Sequence, residues 1–483
     1  MNKASMEEGL LNSSLIPEEK PEVSSINGGG CSKEVSGSSA ITAVVVLSIF
    51  VAASGSFAYG CSVGYSSPAE SGIMNDLGLS TAEYSVFSSI TTIGGMIGAV
   101  ITGKVADLVG RRGAMWFSQI FCIMGWLSII FAKGAWWLDV GRLLLGVGFG
   151  INYYVASIYV AEITPKNIRG GCSSFNPLSL YFGMSVMFFV GNVINWRFLA
   201  LIGIVPCLVQ VVGLFFIPES PRWLAMIGKE KESEATLQRL RGEKCDISQE
   251  AAEIRDYTEI LQGLSQSRIL DLFERRYAHS LIVGVGLMLL IQFGGNCAIA
   301  FYASSILEAA GCSASVGTTA MAIIQIPFSI LGVYSMDKFG RRPLLMVTAA
   351  LTCLGTFLAG LAFLLQDFDQ WKELSAALIL SGLLVFSAGF YTGVGGTPWI
   401  IMSEIFPINI KSSAGSLVTL TNWFGSWIVS YTYNFLFEWS SAGVFFIYTI
   451  FSGLVIVFVA ILVPETKGKT LEEIQASMID LLH

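Results

Sequence analysis

Among the carboxamides and indoles inside the long apolar stretches of this chain are Gln292, Asn296, Gln325 and Asn422, with Trp399. An amide withdrawn from water is costly without a partner, so each must either bond a neighbouring helix or wait for a polar solute. Gln292 and Asn296 are spaced i, i+4 and so share one helix face. Amides set against an aromatic ring suit a small neutral solute rich in hydroxyls, with hydrogen bonds for its O–H groups and a flat surface for its C–H groups. For any single amide a structural helix–helix bond explains it equally well. The set, converging from the second half of the chain, favours a ligand.

A second chemistry is written twice. Asp107–Arg112 and Asp337–Arg342 both read Asp-x-x-Gly-Arg-Arg, 230 residues apart. Arginines beside such a glycine can make bidentate bonds to carboxylates. Glu162 and Glu404 are candidate partners, and they too come as a pair, in Ala161-Glu162-Ile163-Thr164-Pro165 and Ser403-Glu404-Ile405-Phe406-Pro407. A third pair is Pro218-Glu219-Ser220-Pro221-Arg222 and Pro464-Glu465-Thr466-Lys467-Gly468. Three pairs in one order imply two homologous halves, an arrangement that places a substrate cavity between them. Exposed ion pairs are individually weak, so a gate made of them needs a network. Asp107, Arg111, Arg112, Glu162, Arg169, Glu219 and Arg222 supply one in the first half, and Asp337, Arg341, Arg342, Glu404 and Glu465 in the second. The plainer alternative is that the arginines only set topology.

The elements that must position these groups are membrane helices. Hydrophobic residues make up 53% of the 483 and charged residues 13%, against roughly 25% charged in a soluble domain. Windows of about 19 residues predict twelve spans, near 40–62, 84–105, 113–132, 136–160, 171–193, 197–217, 278–303, 316–336, 344–365, 375–402, 411–436 and 441–463. The expected fold is therefore all-α, with two six-helix halves at 39–218 and 278–464. Residues 219–277 form a helical linker, 1–38 a polar tail expected to be disordered, and 465–483 a second tail. Connectors on one side, with both tails, hold 24 of the 28 Lys and Arg, so both termini are expected in the cytosol. The opposite connectors carry acids such as Glu70, Asp76 and Glu308.

Other classes fit poorly. The nine cysteines are scattered without metal-ligand spacing, and no nucleophile–base pairing or phosphate loop appears, so neither an enzyme nor a cofactor is expected. The basic groups are sorted to one membrane face, so nucleic acid is not an expected partner and the lipid bilayer is. A channel would want charged rings or a carbonyl filter.

Together these motifs resemble the sugar-porter family of the major facilitator superfamily. The matching set is Asp107–Arg112, Gly141-Arg142, Tyr159, Glu162, Arg169-Gly170, Pro218–Arg222, Asp337–Arg342, Trp399, Glu404 and Pro464–Gly468. Phe301-Tyr302-Ala303-Ser304-Ser305 and Asn422–Trp427 look most like the plant early-response-to-dehydration-like monosaccharide transporters. The resemblance implies a monosaccharide carrier with sugar contacts at Gln292, Gln325, Trp399 and Asn422, an outer gate at Phe301 and Tyr302, and charged clusters that latch the cytosolic side. It also implies departures. The family's span-7 pattern Gln-Gln-x-x-Gly-Ile-Asn is here Ile291–Cys297, with one glutamine lost and the asparagine shifted by one position. A usual glutamine in span 5 is Pro177, and a usual proline in span 4 is Ser157.

In proton-coupled relatives of this kind an aspartate follows the aromatic of span 1 and faces the span-4 arginine. Gly60 stands at that place here, leaving Arg142 without this partner. Facilitated diffusion is therefore expected, with a proton symporter using Glu70 or another span-end acid, or a non-transporting sugar sensor, as alternatives. In the N-terminal tail, Leu10-Leu11 and Leu15-Ile16 after Glu7-Glu8 resemble a dileucine signal read by sorting machinery, which would favour the vacuolar membrane over the plasma membrane.

Overall fold

The computed structural model describes residues 42–165, 168–243, 245–263, 272, 274, 277–366, 368, 371–407 and 410–467. The tail 1–38, with Leu10, Leu11, Leu15 and Ile16, lies outside the described residues, as do the Asp337 side chain and the chain beyond Lys467. Among the described residues no strand occurs.

The first half contains α1 (Ala43–Leu77), α2 (Thr81–Ile130), α3 (Ala135–Ile163), α4 (Arg169–Gly191) and α5 (Trp196–Leu214). Two crossings are joined in α2, because Gly110 adopts φ +83°, ψ 175° and breaks the helix there without ending it. Short helices α6 (Pro221–Met226), α7 (Glu230–Arg241) and α8 (Ser248–Gly263) follow. The second half contains α9 (Ala278–Phe293), α10 (Asn296–Ala309), α11 (Ala314–Phe339), α12 (Arg341–Gln366), α13 (Lys372–Gly389), α14 (Thr397–Ile405), α15 (Lys411–Trp439) and α16 (Ser441–Leu462). α9 and α10 share one crossing, divided at Gly295 with φ +89°. α13 and α14 share another, joined by a π turn at Phe390–Val394. The described residues thus give twelve crossings, six in each half.

One boundary departs from the hydropathy reading. α1 runs fifteen residues past position 62, through Pro68, and stops only at Gly78, whose φ of +62° gives a left-handed cap. The polar residues of that extension therefore belong to a helix inside the bundle, where the sequence suggested a connector. Close packing depends on bare backbone at α2–α3. A Cβ on Gly146 would lie 2.1 Å from the carbonyl of Thr91, and one on Gly94 2.3 Å from that of Leu143. Small residues are what allow membrane helices to touch in this way.

The linker helices dock onto the first half. Arg241 donates to the Ile163 carbonyl at 2.8 Å and makes a two-pronged bond to Glu250. Thr42, at the start of α1, donates to the Leu240 carbonyl at 2.7 Å.

Candidate functional site

A cavity of about 150 Å³ lies between the two halves. That is below the ~300–1,000 Å³ of sites for drug-sized ligands and fits a small solute. Its amides come from the second half, and the first half adds Ser62, Thr91, Thr92 and Arg142. Gln292 of α9 donates to the Asn422 side-chain oxygen at 2.6 Å, and the Ser426 hydroxyl donates to Gln292 at 2.9 Å. Asn296 and Cys297 of α10 complete that side. Facing them are rings from both halves: Tyr59, Tyr153, Tyr181, Tyr391, Phe301 and Trp423. Tyr59 and Trp423 meet across the halves with centroids 6.1 Å apart, and Tyr181 meets Tyr391 at 4.7 Å. The amides bond one another, so a hydroxylated guest would exchange these bonds for its own.

Two of the five expected contact residues lie elsewhere. Gln325 is fully buried and gives its amide N–H groups to the Tyr181 carbonyl, at 2.6 Å, and to Ser185. It ties α11 to α4 behind the cavity wall. Trp399 is 38% exposed and does not line the cavity. The π turn at Phe390–Val394 and the restart at Thr397 re-aim the face that carries it, and Trp423 provides the indole instead. A tryptophan directly after the singled-out Asn422 was a signal available in the sequence.

Arg142 lines the cavity with 1% exposure. It donates to the Ser62 carbonyl at 2.8 Å, the Ser62 hydroxyl at 3.1 Å and the Ser66 hydroxyl at 2.5 Å. It also lies 4.6 Å from the Phe87 centroid and 5.2 Å from that of Tyr65, cation–π contacts that offset part of the cost of burying the charge. No carboxylate pairs with it among the described residues. Gly60, however, does not face this arginine. A Cβ at Gly60 would sit 1.9 Å from the Leu180 carbonyl oxygen of α4, and one at Gly183 2.2 Å from that of Phe57. Gly60 is therefore a packing position between α1 and α4, and Ser62 and Ser66 occupy the arginine's face.

Seen from the cavity, the molecule has a basic end, carrying the repeated arginine turns, and a far end. Besides the Gln325 bonds, further bonds join the halves at the far end. Ser67 of α1 and Ser304 of α10 are 2.8 Å apart, and the Ser304 N–H also donates to Ser67 at 2.8 Å. The Tyr302 hydroxyl donates to the Ser430 carbonyl at 3.1 Å and contacts Ser88 of α2. Asn434 of α15 donates to Ser85 at 2.9 Å, and Asn192 of α4 to Thr318 of α11 at 3.0 Å. Tyr302 is thus buried in the seam, stacked on Tyr433 at 4.7 Å, while Phe301 beside it faces the cavity.

At the basic end the charged clusters each stay within one half. Arg111 makes a two-pronged pair with Glu162, both bonds 3.1 Å, and meets Asp107 at 3.6 Å. Arg341 donates to Glu404 at 3.1 Å. The remaining glutamates act differently from the side-chain pairing expected. Glu219 accepts the backbone N–H groups of Arg111 and Arg112 at 3.0 and 3.1 Å, and Glu465 those of Arg341 and Arg342, both at 3.1 Å. Each carboxylate caps the start of a new helical stretch, where the N–H groups are free and the dipole favours an anion. Gly110, and Gly340 at φ +92°, make room, since a Cβ there would lie 2.5 and 2.9 Å from the respective carboxylates. Burial pushes Glu219 above the usual glutamate value, outweighing its backbone bonds. Glu465 is less buried; burial raises it, but four backbone N–H bonds hold it below that value. Arg222 lies over the Tyr257 ring at 5.8 Å, and Arg169 has a buried Nε without a partner, so neither joins the pairs described.

The family profile of "Sugar (and other) transporter" matches residues 38–478 of the chain. Sugar transporter ERD6-like 2 of Arabidopsis thaliana is 49% identical over 476 residues, which is 99% of this chain and 100% of that protein. Sugar transporter ERD6-like 7 of the same plant is 52% identical over 433 residues, 90% of this chain and 94% of that one. Among solved structures, the inward-open conformation of the xylose transporter XylE from E. coli superposes with TM-score 0.76 at 23% identity, over 90% of this chain and 99% of that one. The proton:xylose symporter XylE bound to 6-bromo-6-deoxy-D-glucose gives 0.74 at 24% identity, over 90% and 99%. At these identities the likeness is one of fold.

Proposed function

The chain belongs to the sugar (and other) transporter family, and from that premise we propose that it carries a monosaccharide, a hexose or a pentose, across a membrane by alternating access. The observation that carries this reading is the inter-half cavity, where Gln292, Asn296, Asn422 and Ser426 face a wall of rings. Amides bond the hydroxyls, and the rings cover the C–H faces. The named Arabidopsis relatives, both sugar transporters, support the substrate class. Phe301 and Tyr302 serve as the outer gate, shut here, and the charged clusters around Arg111 and Arg341 latch the cytosolic side when the cavity turns outward. In this orientation the basic end and both termini are cytosolic, consistent with the sorting of 24 of 28 basic residues to that side.

Transport is by facilitated diffusion. Coupling to protons calls for a titratable group exchanged between both compartments within the cycle, and among the described residues Arg142 bonds serines and no carboxylate. The leucine pairs at Leu10, Leu11, Leu15 and Ile16 act as a sorting signal that sends the carrier to the vacuolar membrane.

The test is uptake of radiolabelled glucose, fructose and xylose into proteoliposomes, with and without an imposed pH gradient. Equilibrating uptake indifferent to the gradient is expected. Accumulation above equilibrium, abolished by collapsing the gradient, would establish symport. No uptake of any sugar would bring forward a non-transporting sensor.

A further inference from the structure

The extension of α1 carries an acid into the far-end seam. About 20 helical residues cross the ~30 Å of hydrocarbon, so a crossing that begins at Ala43 is complete near residue 63. Glu70 stands about two turns beyond. It bonds the side chain of Ser305 on α10 and lies near Glu308. Its Oε2 is buried with no hydrogen-bond partner, and so is the Tyr433 hydroxyl of α15. The titratable groups within reach of its charge are Glu308 and Tyr302 of α10, Tyr84 of α2 and Tyr433 of α15. Arg142 of α3, which also acts on Tyr84, gives its two terminal NH2 groups to Ser62 and Ser66, while its Nε has no partner.

Three phenols and a second carboxylate are poor company for an anion. A buried charged oxygen without a donor is expensive, and a proton supplies the donor that the anion lacks. Opening the seam parts Ser67 from Ser304 and returns water to the neighbouring Ser305, where a carboxylate can be solvated. Closure and proton uptake are therefore linked, each favouring the other by the same factor.

We propose that Glu70 is a proton-binding site in the outer seam, loaded from the far compartment alone, whose proton holds the outer gate shut. The proposal rests on the alternating-access reading above. Between Glu70 and the cavity stand the bonds of Ser66, Ser67, Tyr302 and Ser304, so in the shut state the proton has no way inward. A site that exchanges with one compartment changes how often the carrier opens and moves no proton across. The carrier remains a facilitator, and its rate depends on far-side pH.

The experiment uses the full-length chain in vesicles of single orientation, with equal glucose on both sides, and follows exchange of the labelled sugar. The far-side pH is lowered from about 8 to about 5 with the other side held constant. Exchange should slow, by up to about tenfold per unit where the site titrates. Glu70→Gln, which mimics the protonated acid, should be slow and flat with pH. Glu308→Gln removes the like charge and should keep the slope but move its midpoint to lower pH, which covers the case in which Glu70→Gln does not fold. A slope unchanged in folded Glu70→Gln, an equal response to pH on the cytosolic side, or sugar accumulation driven by the gradient would each overturn the proposal. Absence of glucose exchange at every pH would instead count against the transport reading itself.

Discussion

Gly60 is the position where sequence resemblance and geometry give different reasons for the same residue. Resemblance makes it a missing proton acceptor, whereas the structure makes it a contact between α1 and α4. The substitution Gly60→Ala separates the two. Its methyl would be placed 1.9 Å from the Leu180 carbonyl oxygen, where ordinary contact begins at 3.4 Å, so the helices must part by 3.4 − 1.9 = 1.5 Å. The obstruction is backbone, with the Leu180 carbonyl carbon at 2.8 Å and the Met184 nitrogen at 3.0 Å, and cannot rotate away. Overpacking of this kind costs about 1–3 kcal/mol. Leu180, Tyr181 and Met184 also line the cavity, and misplacing aligned groups by ~1 Å can cost about 100-fold in rate. Gly60→Ala should therefore lower both the Tm in detergent and glucose uptake in proteoliposomes. Gly60→Asp should do the same without creating proton-driven accumulation. Ser62→Asp places a carboxylate where Arg142 already bonds a hydroxyl at 3.1 Å, and should be the better tolerated of the two acids. Wild-type Tm and uptake in Gly60→Ala, or uphill transport in Gly60→Asp, would refute the packing argument.

Gln292→Ala removes the side chain that bonds Asn422 and Ser426; at about 1 kcal/mol for each of two lost contacts, about 2 kcal/mol together, the glucose KM should rise roughly 30-fold, whereas Trp399→Ala should leave KM within about twofold. Equal losses in both would restore Trp399 to the site. The two capping glutamates should answer acid with opposite signs. Glu465 is held below the ordinary value, so its stabilisation is present above the ordinary glutamate range and fades as pH falls through its depressed pKa. Glu219 is raised, so its contribution is present below that range and is lost as pH rises through the raised pKa. Thermal scans across pH should show a flattened acid limb in Glu465→Gln but not in Glu219→Gln.

The repeated motifs made the two-half architecture legible, because each is a chemical requirement local in sequence. The turn needs Gly110 or Gly340 for its positive φ, and an arginine to reach Glu162 or Glu404. Azimuth was less legible. Whether Gln325 points at the cavity or at Tyr181 depends on how α11 is rotated against α4, which no hydropathy window records. Trp399 was lost for a related reason, since one π turn re-aims everything after it. The reach of α1 was hidden by composition. Ser66, Ser67 and Glu70 read as a connector, yet they are inside a helix because the seam gives Ser67 partners on α10. Glu219 and Glu465 were found as residues, but their use as backbone caps follows only from where the helices begin.

The character of the seam bears on whether an energy source is needed at all. The bonds that join the halves at the far end connect neutral groups: Ser67 with Ser304, Tyr302 with Ser88, Asn434 with Ser85 and Asn192 with Thr318. Each contributes about 1 kcal/mol net, and with the Ser304 amide bond they reach roughly 5 kcal/mol. Shifting a two-state balance from 1:99 to 99:1 takes about 5.5 kcal/mol. The charged latches at the basic end lie within single halves in this state, so they do not oppose the motion until the cavity faces outward. With the latches proposed above forming in that state at comparable strength, two modest sets of contacts would trade places, and heat alone would drive the exchange. A sugar hastens it only if it binds the transition between the two states better than either end state, which the mutually bonded Gln292, Asn422 and Ser426 allow by giving up bonds that the sugar's own hydroxyls replace.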